Sequence, residues 1–238
     1  MRERTKNEKT ILYRIHERFS QISNFAIKNK IPRIFVSDIS SSLFCEWRKI
    51  LEIKHGKPET EEMILGTKIH EEYFAYELES IDELEKIISR GETIGLTTKV
   101  GFIWEEKNQD FKVMISGEPD LMIFSERKLK KIVELKTRRT YDIFSSDILQ
   151  LGIYALCIEK MTGENLKDLQ LEIRVKVVSD NLKEFSRNFY YKDIRDGILD
   201  ELKSSLDFWL GKRDPKIPTS KNICLSCYFR EICDRKLV

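Results

Sequence analysis

The chain has 238 residues, 41% of them hydrophobic and 34% charged, with a formal net charge of +2. That length suits one large domain or a domain with a small appendage, and the near-balanced charge excludes a histone-like basic protein while leaving room for a local basic groove. No run approaches the roughly 18 apolar residues of a membrane span, and no apolar core follows the polar start "MRERTKNEKT", so a cytoplasmic protein is expected.

Ile11, Leu12, Ile15, Phe19, Ile22, Phe25 and Ala26 recur at helical spacing and predict a helix over 8–29, ended by "NKIPR". "SDISSSLFCEWRKILEIKHG" opens on cap-type residues and predicts a second helix that carries Cys45. The segment 57–91, with Pro58 and Thr60 at its start, predicts a long helix interrupted near Gly66 and stopped at Gly91. The period then changes to two. "TTKVGFIWEE", a polar "KNQD" turn and "FKVMISGEPDLMIF" predict a β-hairpin, and "ERKLKK" predicts a turn into the strand "KIVELKT". "SSDILQLGIYALCIEKMTG" predicts a helix capped by Ser145 or Ser146 and stopped at Gly163. "LQLEIRVKVVS" and "KEFSRNFYY" predict paired strands, "KDIRDGILDELKSSLDFWLG" a helix, "KRDPKIPTS" a linker, and the tail is rich in cysteine. This order predicts an α/β fold with a mixed central sheet flanked by helices.

"IVELK" (132–136) sets an acid and a base in an apolar strand. Residues two apart share a strand face, so Glu134 and Lys136 project together while Val133 and Leu135 face the other way. Alone, such a pair reads as an edge salt bridge. Asp120, beside Pro119 in "GEPDLMIF", belongs to the preceding predicted strand, and neighbouring strands lie about 4.8 Å apart. Carboxylates drawn that close repel unless a cation lies between them, and hard oxygen ligands suit Mg²⁺ or Mn²⁺. A lysine beside such an ion can contact a phosphate or orient water.

The pattern "GEPDLMIF…KKIVELK" resembles the PD-(D/E)XK nuclease superfamily, with Asp120 as first acid, Glu134 as second and Lys136 as its lysine. His70, closing "GTKIH", resembles the helical histidine that joins the metal site in RecB-like members. His16 and His55 read as surface residues. Gln150 and Tyr154 lie at i and i+4 on one helix face. They read either as a surface pair or, by resemblance, as the Q-x-x-x-Y motif that follows the lysine in RecB-like nucleases and touches substrate or orders the site. The resemblance implies a restriction-endonuclease-like core over 31–238, preceded by a helical extension over 1–30. It also implies a metal held by His70, Asp120, Glu134 and the Leu135 carbonyl.

Of five cysteines, Cys157 sits among apolar helix residues and reads as core. Cys224-x2-Cys227-x5-Cys233 supplies three thiolates, and Cys45 is the better fourth. The spacing leaves a structural Zn²⁺ and a [4Fe–4S] cluster equally open. One cysteine before the core and three after it resembles the iron–sulfur branch of these nucleases, which includes AddB-type recombination nucleases and the CRISPR-associated exonucleases (Cas family four). That resemblance implies a [4Fe–4S] cluster on Cys45, Cys224, Cys227 and Cys233, with 212–238 as its C-terminal part. It further implies exonuclease action on single-stranded DNA, 5′ to 3′, trimming spacer DNA beside the CRISPR integrase proteins, with ring-forming homo-oligomers among the relatives. Arg138 and Arg139, directly after the acidic strand, read either as a solvated turn or as contacts to the DNA backbone.

Overall fold

The computed structural model describes residues 10–73, 80–106, 111–178, 183–218 and 220–237, apart from the side chains of Glu62 and residues 70–73. The first helix, α1 (Ile11–Lys28), is capped by Thr10, whose hydroxyl accepts the Tyr13 N–H. Ile11, Leu12 and Ile15 are buried and join the main core. The expected second helix is two. They are α2 (Val36–Ser42) and α3 (Glu46–His55), parted at Leu43–Cys45. Cys45 is extended at φ −170° and caps α3, its sulfur accepting the Arg48 N–H at 3.4 Å. The thiol therefore sits at a helix mouth rather than on a helix flank. The expected long helix is likewise divided. α4 (Glu61–Tyr73) runs straight through Gly66, and α5 (Ile81–Ser89) starts afresh on a capping box between Ser80 and Glu83. Within the first of these, Thr60 accepts the Met63 N–H.

The strands fall into two sheets rather than one central sheet. In the smaller, β1 (Arg33–Phe35) pairs parallel to β4 (Lys112–Gly117), which pairs antiparallel to β3 (Val100–Glu105). The larger runs β2 (Ile94–Leu96), β5 (Leu121–Ser125), β6 (Lys128–Arg138), β7 (Gln170–Val177) and β8 (Glu184–Tyr190). "FKVMISGEPDLMIF" is thus no single strand: Gly117 ends β4 in one sheet, Leu121 begins β5 in the other, and Asp120 lies on the crossing. Proline there removes a ladder donor, which suits a sheet-to-sheet connection. The expected "ERKLKK" turn shrinks to Glu126 and Arg127, both at positive φ (52° and 64°), the two-residue geometry that a tight hairpin demands.

β6 and β7 are parallel, joined through α6 (Ser145–Thr162). A parallel pair needs such a crossover, and strands covered on both faces read as nearly continuous apolar runs. α6 begins after Phe144 rather than after a serine; Asp147 accepts the Phe144 N–H at 2.8 Å and closes the turn. Gly163 ends it in the left-handed conformation. The helix packs against both sheets and against α1, α2 and α7 (Tyr191–Trp209), and it is buried nearly all round, with Cys157 at its centre. The last helix is α8 (Lys221–Leu225). Before it, Arg213 forks onto the buried Glu46 carboxylate at 2.5 and 2.6 Å, and the Lys216 N–H adds a third donor at 2.6 Å, so the C-terminal segment is fastened to α3. No helix among the described residues is long and apolar enough to cross a membrane.

Candidate active site

β5 and β6 pair antiparallel with Leu121 opposite Val133, so Asp120, one step before Leu121, comes beside Glu134. The crossing is fixed there: Asp120 Oδ2 accepts the Leu135 N–H at 2.7 Å. Glu134 is buried, and its Oε1 accepts from Lys136 Nζ at 2.8 Å and from Gln150 Nε2 at 2.6 Å. Lys136 also donates to Gln150 Oε1 at 2.9 Å, and Gln150 Nε2 reaches the Tyr154 hydroxyl at 3.2 Å. Strand alternation on β6 and the four-residue spacing on α6 meet here, so the acid, the amine, the amide and the phenol form one polar cluster between strand and helix.

Burial pulls Lys136 toward its neutral form, but the attraction of Glu134, and behind it Asp147 and Asp120, holds its pKa above the usual lysine value. The one carboxylate the amine touches is that of Glu134, at 2.8 Å. Burial and the Glu134 charge push the Tyr154 phenol up, so it stays protonated. Its ring lies where a side chain on Gly117 would be, since a Cβ there would come within 2.7 Å of Tyr154 Cε1. The glycine that ends β4 thereby lets the phenol reach the site. Asp147, Gly117 and Ser40 complete the surroundings. None was singled out from the sequence, because each acts through another residue.

His70 lies on α4, which packs against β6, but its side chain is outside the described residues. Among the described residues, no three His, Cys, Asp or Glu side chains form a set that could hold a metal ion. The donors present are the carboxylates of Asp120 and Glu134 on adjoining chain segments. That chemistry fits Mg²⁺ or Mn²⁺, because Mg²⁺ is commonly held by only one or two carboxylates and keeps several waters. Arg138 is engaged within the fold: it bonds Asp147 at 2.5 Å and the Asp142 carbonyl at 2.6 Å, and lies 4.3 Å over the Phe144 ring. Arg139 is exposed, and both arginines line a cavity with Glu61, Leu65, Thr137 and Val178.

Cys45, Cys224, Cys227 and Cys233 line a second cavity together with Arg48, Arg230, Arg235 and Lys236. All five cysteines of the chain are free of disulfides. The Leu237 N–H donates to Cys224 at 3.4 Å, as Arg48 N–H does to Cys45.

The chain matches the PD-(D/E)XK nuclease superfamily over residues 43–234 and belongs to it. Nucleases of this superfamily use divalent metals such as Mg²⁺ or Mn²⁺. Its fold is similar to that of SSO0001 (TM-score 0.54, 17% identity, 96% of each chain covered). A fainter similarity reaches the alkaline exonuclease LHK-Exo from Laribacter hongkongensis (TM-score 0.39, 14% identity, 83% of this chain and 93% of that one). No curated protein matches the chain.

Proposed function

We propose that the chain is a metal-dependent deoxyribonuclease, an exonuclease that shortens single-stranded DNA from the 5′ end. The observation that carries this reading is the Asp120 carboxylate bound to the Leu135 amide, one residue from a Glu134–Lys136 pair on the adjoining strand. Asp120, Glu134, the Leu135 carbonyl and His70 are the assigned metal ligands. A divalent cation bound there supplies Lewis-acid stabilisation of the phosphate and acidifies a water. Lys136, held 2.8 Å from Glu134, is placed to orient the attacking water or to offset charge on the scissile phosphate. Gln150 holds Glu134 and Lys136 in place, and the buried Tyr154 braces Gln150. Arg138 stiffens the strand end, and Arg139 contacts the DNA backbone.

The cysteine cavity is assigned to a [4Fe–4S] cluster on Cys45, Cys224, Cys227 and Cys233. The four cysteines are not gathered into a metal-holding set in this structure; the support is that they line one cavity with four cationic side chains, which would offset the negative charge of four thiolates. With the order of motifs along the chain, this supports a part in CRISPR spacer acquisition, trimming spacer DNA beside integrase proteins. A standalone recombination nuclease would carry the same site. The test is to purify the protein without air, record its visible spectrum, and follow 5′- and 3′-end-labelled single strands with Mn²⁺ and with chelator. A brown protein with Mn²⁺-dependent loss of the 5′ label is expected. A colourless protein would remove the cluster, and cleavage undiminished by chelator would remove the metal centre.

A further inference from the structure

Gln150 is the hub of the catalytic cluster, and its amide works in only one orientation. Its Oε1 faces the Lys136 ammonium and its Nε2 faces the Glu134 carboxylate. Rotating the amide by half a turn would set NH₂ against the ammonium and the carbonyl against the carboxylate. One more group touches this amide. Ser40 on α2, buried and far away in sequence, lies with its hydroxyl 3.3 Å from Gln150 Oε1. Because that atom is an oxygen, the serine must donate. The same hydroxyl lies 3.1 Å from the Ser37 carbonyl, and one proton cannot serve both at once. Donation to Gln150 therefore competes with a shorter local helix bond, and the hydroxyl proton is shared between the two acceptors.

α2 is itself held in place by α3. Arg48 donates to the Ser41 carbonyl at 3.2 Å, and the buried Lys49 bonds Asp38 at 3.1 Å. The residue before α3 is Cys45, whose sulfur takes the Arg48 N–H. Arg48 and Lys49 thus fasten α2, and with it Ser40, to the helix that Cys45 caps.

We propose that Ser40 is a positioning residue for Gln150: it fixes the amide in its working orientation from a helix that the cysteine-bearing α3 anchors. This inference rests on the nuclease reading for its kinetic consequence but not for its structural one, so the test has two arms. In the kinetic arm, Ser40→Ala, Ser40→Thr, Gln150→Ala and the double variant Ser40→Ala/Gln150→Ala are compared on labelled single-stranded DNA with Mn²⁺. Ser40→Ala should lower kcat by about tenfold, as the loss of an orienting partner does, with little change in KM. Ser40→Thr, which keeps the hydroxyl, should recover most of the rate. Ser40→Ala should cost nothing further once Gln150 is gone, because both then act as one unit. In the spectroscopic arm, the side-chain amide NMR signals of Gln150, identified by their loss in Gln150→Ala, should shift and exchange faster in Ser40→Ala. A full additional loss of rate in the double variant would overturn the proposal, as would unchanged Gln150 signals in Ser40→Ala. If the parent protein leaves DNA intact, the nuclease reading fails, and the Gln150 signals alone uphold or overturn the role of Ser40.

Discussion

Lys136 shows how a single side chain decides between chemistries. Burial alone would favour the neutral amine, and a neutral lysine can act as a base. Here the adjacent Glu134 and the charges of Asp147 and Asp120 outweigh burial and keep the ammonium. A charged amine 2.8 Å from Glu134 can stabilise negative charge that builds up on a phosphate, an interaction worth most in a site shielded from water. Truncation to alanine leaves the strand and its backbone pairing intact, so Lys136→Ala is expected to lose cleavage by several orders of magnitude while its melting temperature stays within a few degrees of the parent. Glu134 would then keep the Gln150 bond and lose only its charged partner.

At the scale of elements, the site depends on how closely α6 can approach its neighbours. Gly152 on α6 faces α7, and a Cβ there would fall 2.5 Å from Ile198 Cγ1. Gly152→Ala should therefore push the helices apart and lower stability by about 1–3 kcal/mol, the usual cost of overpacking, read as a fall in melting temperature. The sequence made the long elements legible: α1, α6, β6, β7 and α7 are long enough for their apolar period to show. It did not disclose β1 and β2, because three residues carry no period. The break before α3 was hidden because Cys45 sits in a helix-like apolar run and its extended conformation follows from capping and tertiary contacts. The meeting of Asp120, Glu134 and Lys136 was legible because strand alternation puts Glu134 and Lys136 on one face and the spacing sets Asp120 at the end of the adjoining strand. Ser40 was not, because in "SDISSS" nothing local separates it from its neighbours; only the packing of α2 on α6 does.

At the scale of the molecule, several part-buried glutamates tie distant segments together. Burial works against the Glu52 charge, but the Lys49 bond and then Tyr228 outweigh it and lower its pKa below the usual 4.5. Glu159 is lowered by Arg195, against burial and with help from Tyr191. Burial likewise opposes ionisation of Glu172, and Arg174 and Lys131 more than offset it. A carboxylate depressed in the folded state contributes stability above its unfolded pKa and loses it as pH falls through the folded value. Melting temperature should accordingly be level from neutral pH to about pH 5 and then fall as acid titrates these groups. A melting temperature still level at pH 3 would contradict this account of the clasps between α3 and the tail, between α6 and α7, and along β6 and β7. The fold they stabilise has one central purpose in this account, to bring Asp120 and Glu134 together under the Lys136 ammonium. The most direct measurement is the rate at which parent and Lys136→Ala proteins, equally folded, degrade end-labelled single-stranded DNA with Mn²⁺. The account predicts rapid loss of label with the parent and none above background with the variant; equal rates would contradict it.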